Sequence, residues 1–538
     1  MNIRAKLTIV STLLSIIAVV GCDGQEFLNN ATPPSDEGPG QGKWQSVEDL
    51  DLLAAGTYWM TSGECCNESQ QVVGSWARTM PTDIAVPLAD GGEGFFLDQK
   101  DADVFYGRNP NNPDNTSLED IWQSTYAAIA NSNSGIEFIE NKFFDDDGQV
   151  PFEDPNNWIP RIYGELKFLR AYNYYILAKT FSPPYSQNNL AEKGVIMRTE
   201  PTNSFNAASK PLGTVEELYN LLITDLQQAI DNLPNEPKPN DPEFYNYSRA
   251  TKPAATTLLA RINFEMQNWG AAQDLATEVI NDPRFTLTEE PIVAWNQDTF
   301  NRPNEVIWYY QWVDGDGVGH NSDWKWPKGW NSWNATRANW GNVGSIINNV
   351  KFVSVSYSFL ENVGWIDNIN DLNETSSATQ DLRYQQLYKR FEANDAAGGL
   401  AFNKPTVWIN KYYRSENYPP TTNVPLLRVS EMYLTRSIIS FLGGNGATKN
   451  LEQARNDINK IRQRAGLQSI NQGQLTAEII HAERMKELAF EGDRLPYLQA
   501  LRIDIPNGDR GSGSIPWNDP NLVFTIPNSE TDFNNAVQ

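Results

Sequence analysis

Seven of the seventeen tryptophans fall in one stretch, Trp308 to Trp340, which reads WYYQWVDGDGVGHNSDWKWPKGWNSWNATRANW. Gly, Asn, Asp, Ser and Pro separate the rings, the residues of turns and exposed loops. After Trp312 the aromatics keep no period of 2 or 3.6, so they do not form one buried face. Indole rings among amides and carboxylates suit a sugar surface: the C–H face of a pyranose packs on the ring, and Asn or Asp bonds its hydroxyls. The same rings could instead anchor a long loop. On chemistry alone the candidate ligand contacts are Trp324, Trp326, Trp330, Trp333 and Trp340, with His320 as a partner for a sugar hydroxyl. Trp76 and Asp83 join them from a second Gly- and Asp-rich segment, 61–117. Asp314, Asp316 and Asp323 could supply oxygen ligands to Ca²⁺, but solvated turns explain them as well, and no cofactor is expected.

Catalytic patterns are absent from the sequence. It holds two histidines, His320 and His481, and no HExxH, GxSxG or phosphate-loop motif. With 67 acidic residues a glycoside hydrolase, which needs two suitably spaced carboxylates, stays as the rival class. The net charge of −25 disfavours nucleic acid and anionic polymers and favours a neutral polymer as partner.

Arg4 and Lys6 precede the apolar run Leu7–Val20, which ends at Gly21-Cys22. That is the shape of a secretory signal over residues 1–21. A small residue and a cysteine directly after the apolar run resemble a bacterial lipobox, with Cys22 acylated. Asp23 and Glu26 resemble a surface-export signal. Residues 22–43 then read as a polar tether that cannot bury a core. Cys65 and Cys66 are neighbours, so they form either a vicinal disulfide or two thiols.

The elements that must hold the tryptophan stretch are helical. Leu50–Tyr58, Leu118–Ile139 and Pro160–Phe181 read as helices, the last with one apolar stripe through Ile162, Leu166, Leu169, Tyr172 and Ile176. Thr214-Val-Glu-Glu217 is a capping box opening a helix that Pro234 ends. Lys252–Gln267 and Trp269–Asn281 form a helix pair similar to a tetratricopeptide unit. Glu305–Trp312 is strand-like, with Trp308 and Trp312 in the core, and the chain is irregular from there to about Tyr413. Helices return at Val424–Leu442, Leu451–Ala465 and Thr476–Glu491, before an extended Asn521–Gln538. Domain limits follow: a helical scaffold over 44–305, a ligand region over 306–415, and a second helical scaffold with tail over 416–538.

Motifs along nearly the whole chain resemble the SusD-like (RagB/SusD) nutrient-binding lipoproteins of Bacteroidetes. They include Glu165-Leu-Lys-Phe-Leu-Arg170, Asn304-Glu305-Val-Ile, Asp381-Leu-Arg383, Leu427-Arg428-Val-Ser-Glu431, Asn459-Lys-Ile-Arg462, Glu483-Arg484-Met-Lys-Glu487 and Glu491-Gly492-Asp-Arg494. Ser430, where Ala is usual, and Tyr497, where Asp is frequent, depart from the pattern. The resemblance implies a mainly α fold. Tetratricopeptide-like helix pairs would support a large loop-rich, partly β insertion that forms the binding face. It implies a lipid-anchored protein of the outer-membrane surface that captures an oligosaccharide or polysaccharide without catalysis and delivers it to a SusC-like TonB-dependent transporter. Some relatives handle peptides instead. A neutral glycan is expected, and the acid-rich chain, fitting a marine source, makes a β-glucan such as laminarin the first candidate. The charged motif residues, among them Glu165, Arg170, Arg428, Glu431, Glu483, Arg484, Glu487, Glu491 and Arg494, read as structural ion pairs within and between helices, and His481 as structural too.

Overall fold

A computed structural model describes residues 44–62, 77–87, 102–144, 150–201, 209–237, 249–295, 302–310, 353–397, 400–401, 403–409, 411 and 424–537. The first half carries α1 (Val47–Ser62), β1 (Ala85–Pro87), α2 (Thr116–Ile139), α3 (Ile159–Phe181), β2 (Lys193–Ile196), β3 (Leu212–Thr214), α4 (Val215–Asn232), α5 (Lys252–Glu265), α6 (Trp269–Asn281) and β4 (Val306–Tyr310). The middle carries β5 (Val353–Val355), α7 (Tyr357–Asn362), α8 (Ser376–Gln380), α9 (Leu382–Leu387), β6 (Tyr388–Phe391), β7 (Ala396–Ala397), β8 (Leu400–Ala401) and β9 (Thr406–Ile409). The last part carries β10 (Val424–Arg428), α10 (Val429–Leu442), α11 (Leu451–Arg464), α12 (Ala477–Leu488), α13 (Arg494–Leu501), β11 (Ile505–Pro506), β12 (Ser514–Ile515) and α14 (Asn528–Thr531).

Local chemistry places the helix ends. The Asn115 side chain accepts the Leu118 N–H to open α2. Thr214 and Glu217 form the reciprocal capping box that the sequence predicts. The helices then stack in chain order: α1 on α2 and α3, α2 on α3, α3 on α4, α4 on α5, α5 on α6. The stack resumes when α6 packs on α10, and α10 on α11 and α12. Each helix buries its apolar face on the next, as in a solenoid of helix pairs. The mainly α, tetratricopeptide-like architecture expected from the sequence is therefore the one observed.

Helix α3 is the axis of the first half. The sequence suggests one apolar stripe; in the structure every residue except Pro160 is buried, charged ones included. Arg161, Arg170 and Lys179 recur at a constant spacing that turns each to the side opposite the one before. Arg161 bonds Asp51 of α1 at 2.9 Å, Arg170 grips Asp225 of α4 through two bonds of 2.7 Å, and Lys179 bonds Glu265 of α5. Three neighbours are thereby fixed in register around one rod.

Four other expectations change. Val424–Arg428, read as the first turn of a helix, is strand β10, because it pairs antiparallel with β4 (Val424 opposite Tyr310, Arg428 opposite Val306). The middle segment, read as irregular, contains α7 to α9 and β5 to β9. The last helix before Gly492 stops at Leu488, and α13 follows it unforeseen. The tail, read as extended, carries α14.

The chain thus leaves the helical stack through β4 and returns through β10. At their feet Arg428 donates to Glu305, to Glu487 at 2.9 Å and to Glu491 at 2.7 Å. Arg464 donates to Glu305 at 3.0 Å, and Lys411 to Glu491 at 2.7 Å. Burial would raise the Glu487 pKa, but Arg464, Arg428 and Arg383 outweigh it and hold the carboxyl far below its usual range. Glu483 behaves alike: burial opposes ionisation, yet Arg383, Lys486 and Arg462 lower its pKa to about 2.

Two outcomes follow. Arg170→Met leaves Asp225 buried with only Lys167, 3.7 Å away, and should lower stability by about 3 kcal/mol, the low end for a broken buried pair; an unchanged melting temperature in calorimetry would show that the pair contributes nothing net. The folded pKa of Glu483 lies below the unfolded value of about 4.3. Its stabilisation is therefore complete above that pH and disappears as pH falls toward 2. Glu483→Gln should flatten this part of the acid-unfolding curve.

Candidate functional site: a ligand face carried on two strand ladders

Strand β1 pairs antiparallel with β5, in the register Ala85–Val355, Val86–Ser354 and Pro87–Val353. The described chain breaks off after Pro87 and, after a separate break at 311–352, resumes at Val353, so two points distant in sequence lie side by side. At the other ladder, Tyr310 of β4 lies opposite Val424 of β10. Tyr310 and Val353, the described residues on either side of 311–352, therefore belong to two different ladders.

The β1–β5 ladder is held by the C-terminal hairpin of β11 and β12. Arg494, at the start of α13, grips Asp83 through two bonds of 2.9 Å. Arg108 donates to Pro81 O at 2.8 Å, Asn507 Oδ1 at 2.7 Å and Pro506 O at 2.9 Å. Arg510 lies over the Tyr106 ring, 3.8 Å from its centre, and donates to the carbonyls of Tyr106, Thr82 and Met80. Burial, with Arg108 nearby, brings the Arg510 pKa down to about 10, which leaves it charged at neutral pH. Asp509 accepts the N–H groups of Tyr357 and Ser358, each at 2.9 Å, and so caps α7. Ser356 donates its N–H to Ile84 O at 2.8 Å and its hydroxyl to Asp83 O. Gly508 has φ +60°, and a Cβ there would lie 2.9 Å from Asp83 Cα, so a side chain has no room at this crossing. One hairpin thus grips both strands from which the long segments emerge.

Asp83 corrects the sequence reading. It is only 1% exposed, and its carboxylate is committed to Arg494, so it braces the ladder from below and does not face a ligand. Trp76, His320, Trp324, Trp326, Trp330, Trp333 and Trp340 lie outside the described residues, as do Trp312, Cys22, Cys65, Cys66 and the acids Asp314, Asp316 and Asp323. Trp308 is core, as expected: it is 2% exposed and meets Phe168 and Tyr172 edge-on, with ring centres 4.8 and 4.9 Å apart. His481 is structural, as expected. Its Nδ1 lies 2.6 Å from the Tyr497 hydroxyl, and burial, with Arg494 adding to it, lowers its pKa to about 4. Sequence reasoning missed Arg108, Asp509 and Arg510, because an arginine that bonds carbonyls leaves no sequence signature.

Arg510→Met removes three carbonyl anchors. Amide hydrogen exchange should speed up at Ile84–Pro87 and Val353–Val355 while α3 stays protected; equal protection in both variants would mean that the hairpin does not hold the ladder.

A profile described as starch-binding and associating with the outer membrane matches residues 94–264, and the SusD family profile matches residues 281–502. A SusD-like protein of Formosa agariphila is 24% identical over 200 residues; the match spans 36% of this chain but only 32% of that relative's length. A SusD superfamily protein of Bacteroides thetaiotaomicron superposes with a TM-score of 0.72 at 20% identity, covering 92% of this chain and 99% of the other. A SusD-like carbohydrate binding protein of Bacteroides vulgatus does so with a TM-score of 0.66 at 18% identity, covering 92% and 98%. With consecutive profiles of one family on both halves and the same fold across nearly the full length, this chain belongs to the SusD family.

Proposed function

We propose that the protein is a carbohydrate-binding lipoprotein, anchored through Cys22 to the outer-membrane surface. It captures a neutral polysaccharide or its oligosaccharides and hands them to a SusC-like TonB-dependent transporter. The observation that carries this reading is the register of β1 with β5. It pairs Ala85–Pro87, within the 61–117 segment, with Val353–Val355, where the described chain resumes after the tryptophan-dense stretch. Family membership adds the carbohydrate class, and the net charge of −25 argues against anionic polymers.

Capture works by stacking of sugar rings on indoles, with amides and carboxylates bonding hydroxyls. The contacts we propose are Trp324, Trp326, Trp330, Trp333, Trp340, Trp76 and His320. Release to a channel requires modest affinity, micromolar to millimolar, or roughly −8 to −4 kcal/mol. Repeating units of a polymer add avidity. Laminarin, a β-glucan, heads the panel to be tested, followed by mannan, fructan and starch fragments. The protein only binds; it does not cleave.

Affinity electrophoresis against that panel tests the reading. Retardation by at least one neutral glycan is expected, and Trp324→Ala/Trp330→Ala should abolish it with the melting temperature unchanged. Full retardation in this and the other paired Trp→Ala variants would reject the site. Competition by peptides would point to peptide capture instead, and steady release of reducing ends would make the protein a hydrolase.

A further inference from the structure

The full sequence holds two Asn-Gly pairs, Asn445-Gly446 and Asn507-Gly508. An asparagine followed by glycine can react with its own backbone, because no side chain on the second residue hinders the approach of its amide nitrogen. The fold puts the two pairs in opposite situations.

Asn445 and Gly446 are the central residues of the turn between α10 and α11. Gly444 and Ala447 close it with two bonds, Gly444 N–H to Ala447 O at 3.2 Å and Ala447 N–H to Gly444 O at 2.9 Å. Asn445 has φ +51° and Gly446 φ +81°, so the turn is of type I′, whose paired positive φ values select Asn-Gly. Turn geometry therefore installs the reactive pair, and Asn445 is exposed to solvent. Asn507 is locked instead. Its side chain accepts from Arg108 Nη1 at 2.7 Å and donates to Ser512 O at 3.0 Å. Its carbonyl accepts from Arg510 N at 3.3 Å and Nη1 at 3.0 Å, and Gly508 is wedged against Asp83. Cyclisation at Asn507 must break the side-chain bonds and the carbonyl bonds together. At Asn445 it must release the 3.1 Å bond from Gly270 N–H to Asn445 O. A single bond of that kind slows a reaction by about fivefold, whereas several together suppress it.

We propose that Asn445 is a site of spontaneous conversion to aspartate and isoaspartate. The Gly446 amide nitrogen attacks the side-chain carbonyl carbon of Asn445. A C–N bond forms, the bond to the side-chain nitrogen breaks, and ammonia leaves with the Gly446 amide proton. Water then opens the cyclic succinimide at either carbonyl, with no change of oxidation state. Opening at the α-carbonyl routes the main chain through Cβ and Cγ, lengthens the turn by a backbone carbon and leaves the former Asn445 carbonyl as a free carboxylate. The turn has no slack for this, because it is docked on the start of α6. A Cβ on Gly270 would lie 2.7 Å from Gly446 O. Gln273 of α6 accepts the Thr448 N–H at 3.2 Å and donates to Ser440 Oγ at 2.9 Å. Because α6 on α10 is the packing that resumes the helical stack, isoaspartate at this turn loosens the joint between the two helical scaffolds. The site does not depend on glycan capture.

Peptide mapping after storage of the purified protein in warm, mildly alkaline buffer tests the proposal. The tryptic peptides Ser437–Lys449 and Ile503–Arg510 each hold a single asparagine and report the two sites separately. In the folded protein, acid and isoaspartate forms of the first peptide should accumulate at least about tenfold faster than those of the second, a barrier difference of about 1.4 kcal/mol. In urea the two rates should converge. Asn445→Gly suits the same turn and should fold normally while yielding no product in the first peptide. The isoaspartate fraction, separated by its added negative charge, should exchange amide hydrogens faster at Gly270 and along the first turn of α6. Equal rates at the two sites in the folded protein, or an unmodified Asn445, would overturn the site; unchanged exchange at Gly270 would overturn the loosened joint.

Discussion

The junction where the chain leaves the helical stack and returns to it rests on one buried guanidinium, that of Arg428. It stands where β10 becomes α10, and its bonds reach Glu305 at the foot of β4, Glu487 on α12 and Glu491 beyond it. The Trp295 ring lies beneath it, 4.9 Å from ring centre to guanidinium carbon, and Lys411 approaches the same ring at 5.2 Å. Removing so many charges from water is costly, and their mutual attraction offsets the cost only if each group keeps its partners. A purely apolar junction of similar volume would tolerate a slip of one strand against the other. The charged one does not, because a slip would strand a buried carboxylate.

Much of the scaffold was legible in the sequence. The Thr214 capping box, the helix pair over residues 252–281 and the core position of Trp308 each depend on local pattern, and each is present. The structural role of the charged motif residues was legible too, but their partners were not. Of the pairs made by those residues, Glu165 with Arg161 is a one-turn helical pair, whereas Arg170, Arg428, Glu431 and Arg494 reach across to other elements. Residue type announces a need for a counter-charge; only the assembled fold says which one.

The failures have the same origin. Val424–Arg428 continues an apolar run into α10, and periodicity cannot separate a buried strand from a buried helix turn; pairing with β4 decides it. Asp83 sits in a segment rich in Gly and Asp, and composition alone suggests an exposed loop. Its partner Arg494 lies 411 residues further on, beyond the reach of any local signal. Ser430 shows a smaller mismatch. Its hydroxyl is buried with no hydrogen-bond partner among the described residues, so an alanine there would leave no polar group unsatisfied. Tyr497, the other departure, gives its hydroxyl to His481 and its ring to the guanidinium of Arg484, 4.4 Å away.

The ladder pairings Pro87–Val353 and Tyr310–Val424 have an evolutionary consequence. Tyr310 and Val353 are each held by a strand partner from elsewhere in the chain, so both flanks of the passage between them are fixed whatever its length. Lengthening such a loop is cheap, about 0.6 kcal/mol for each doubling. A lineage can therefore change the length of the passage between Tyr310 and Val353 while the inherited frame stays the same.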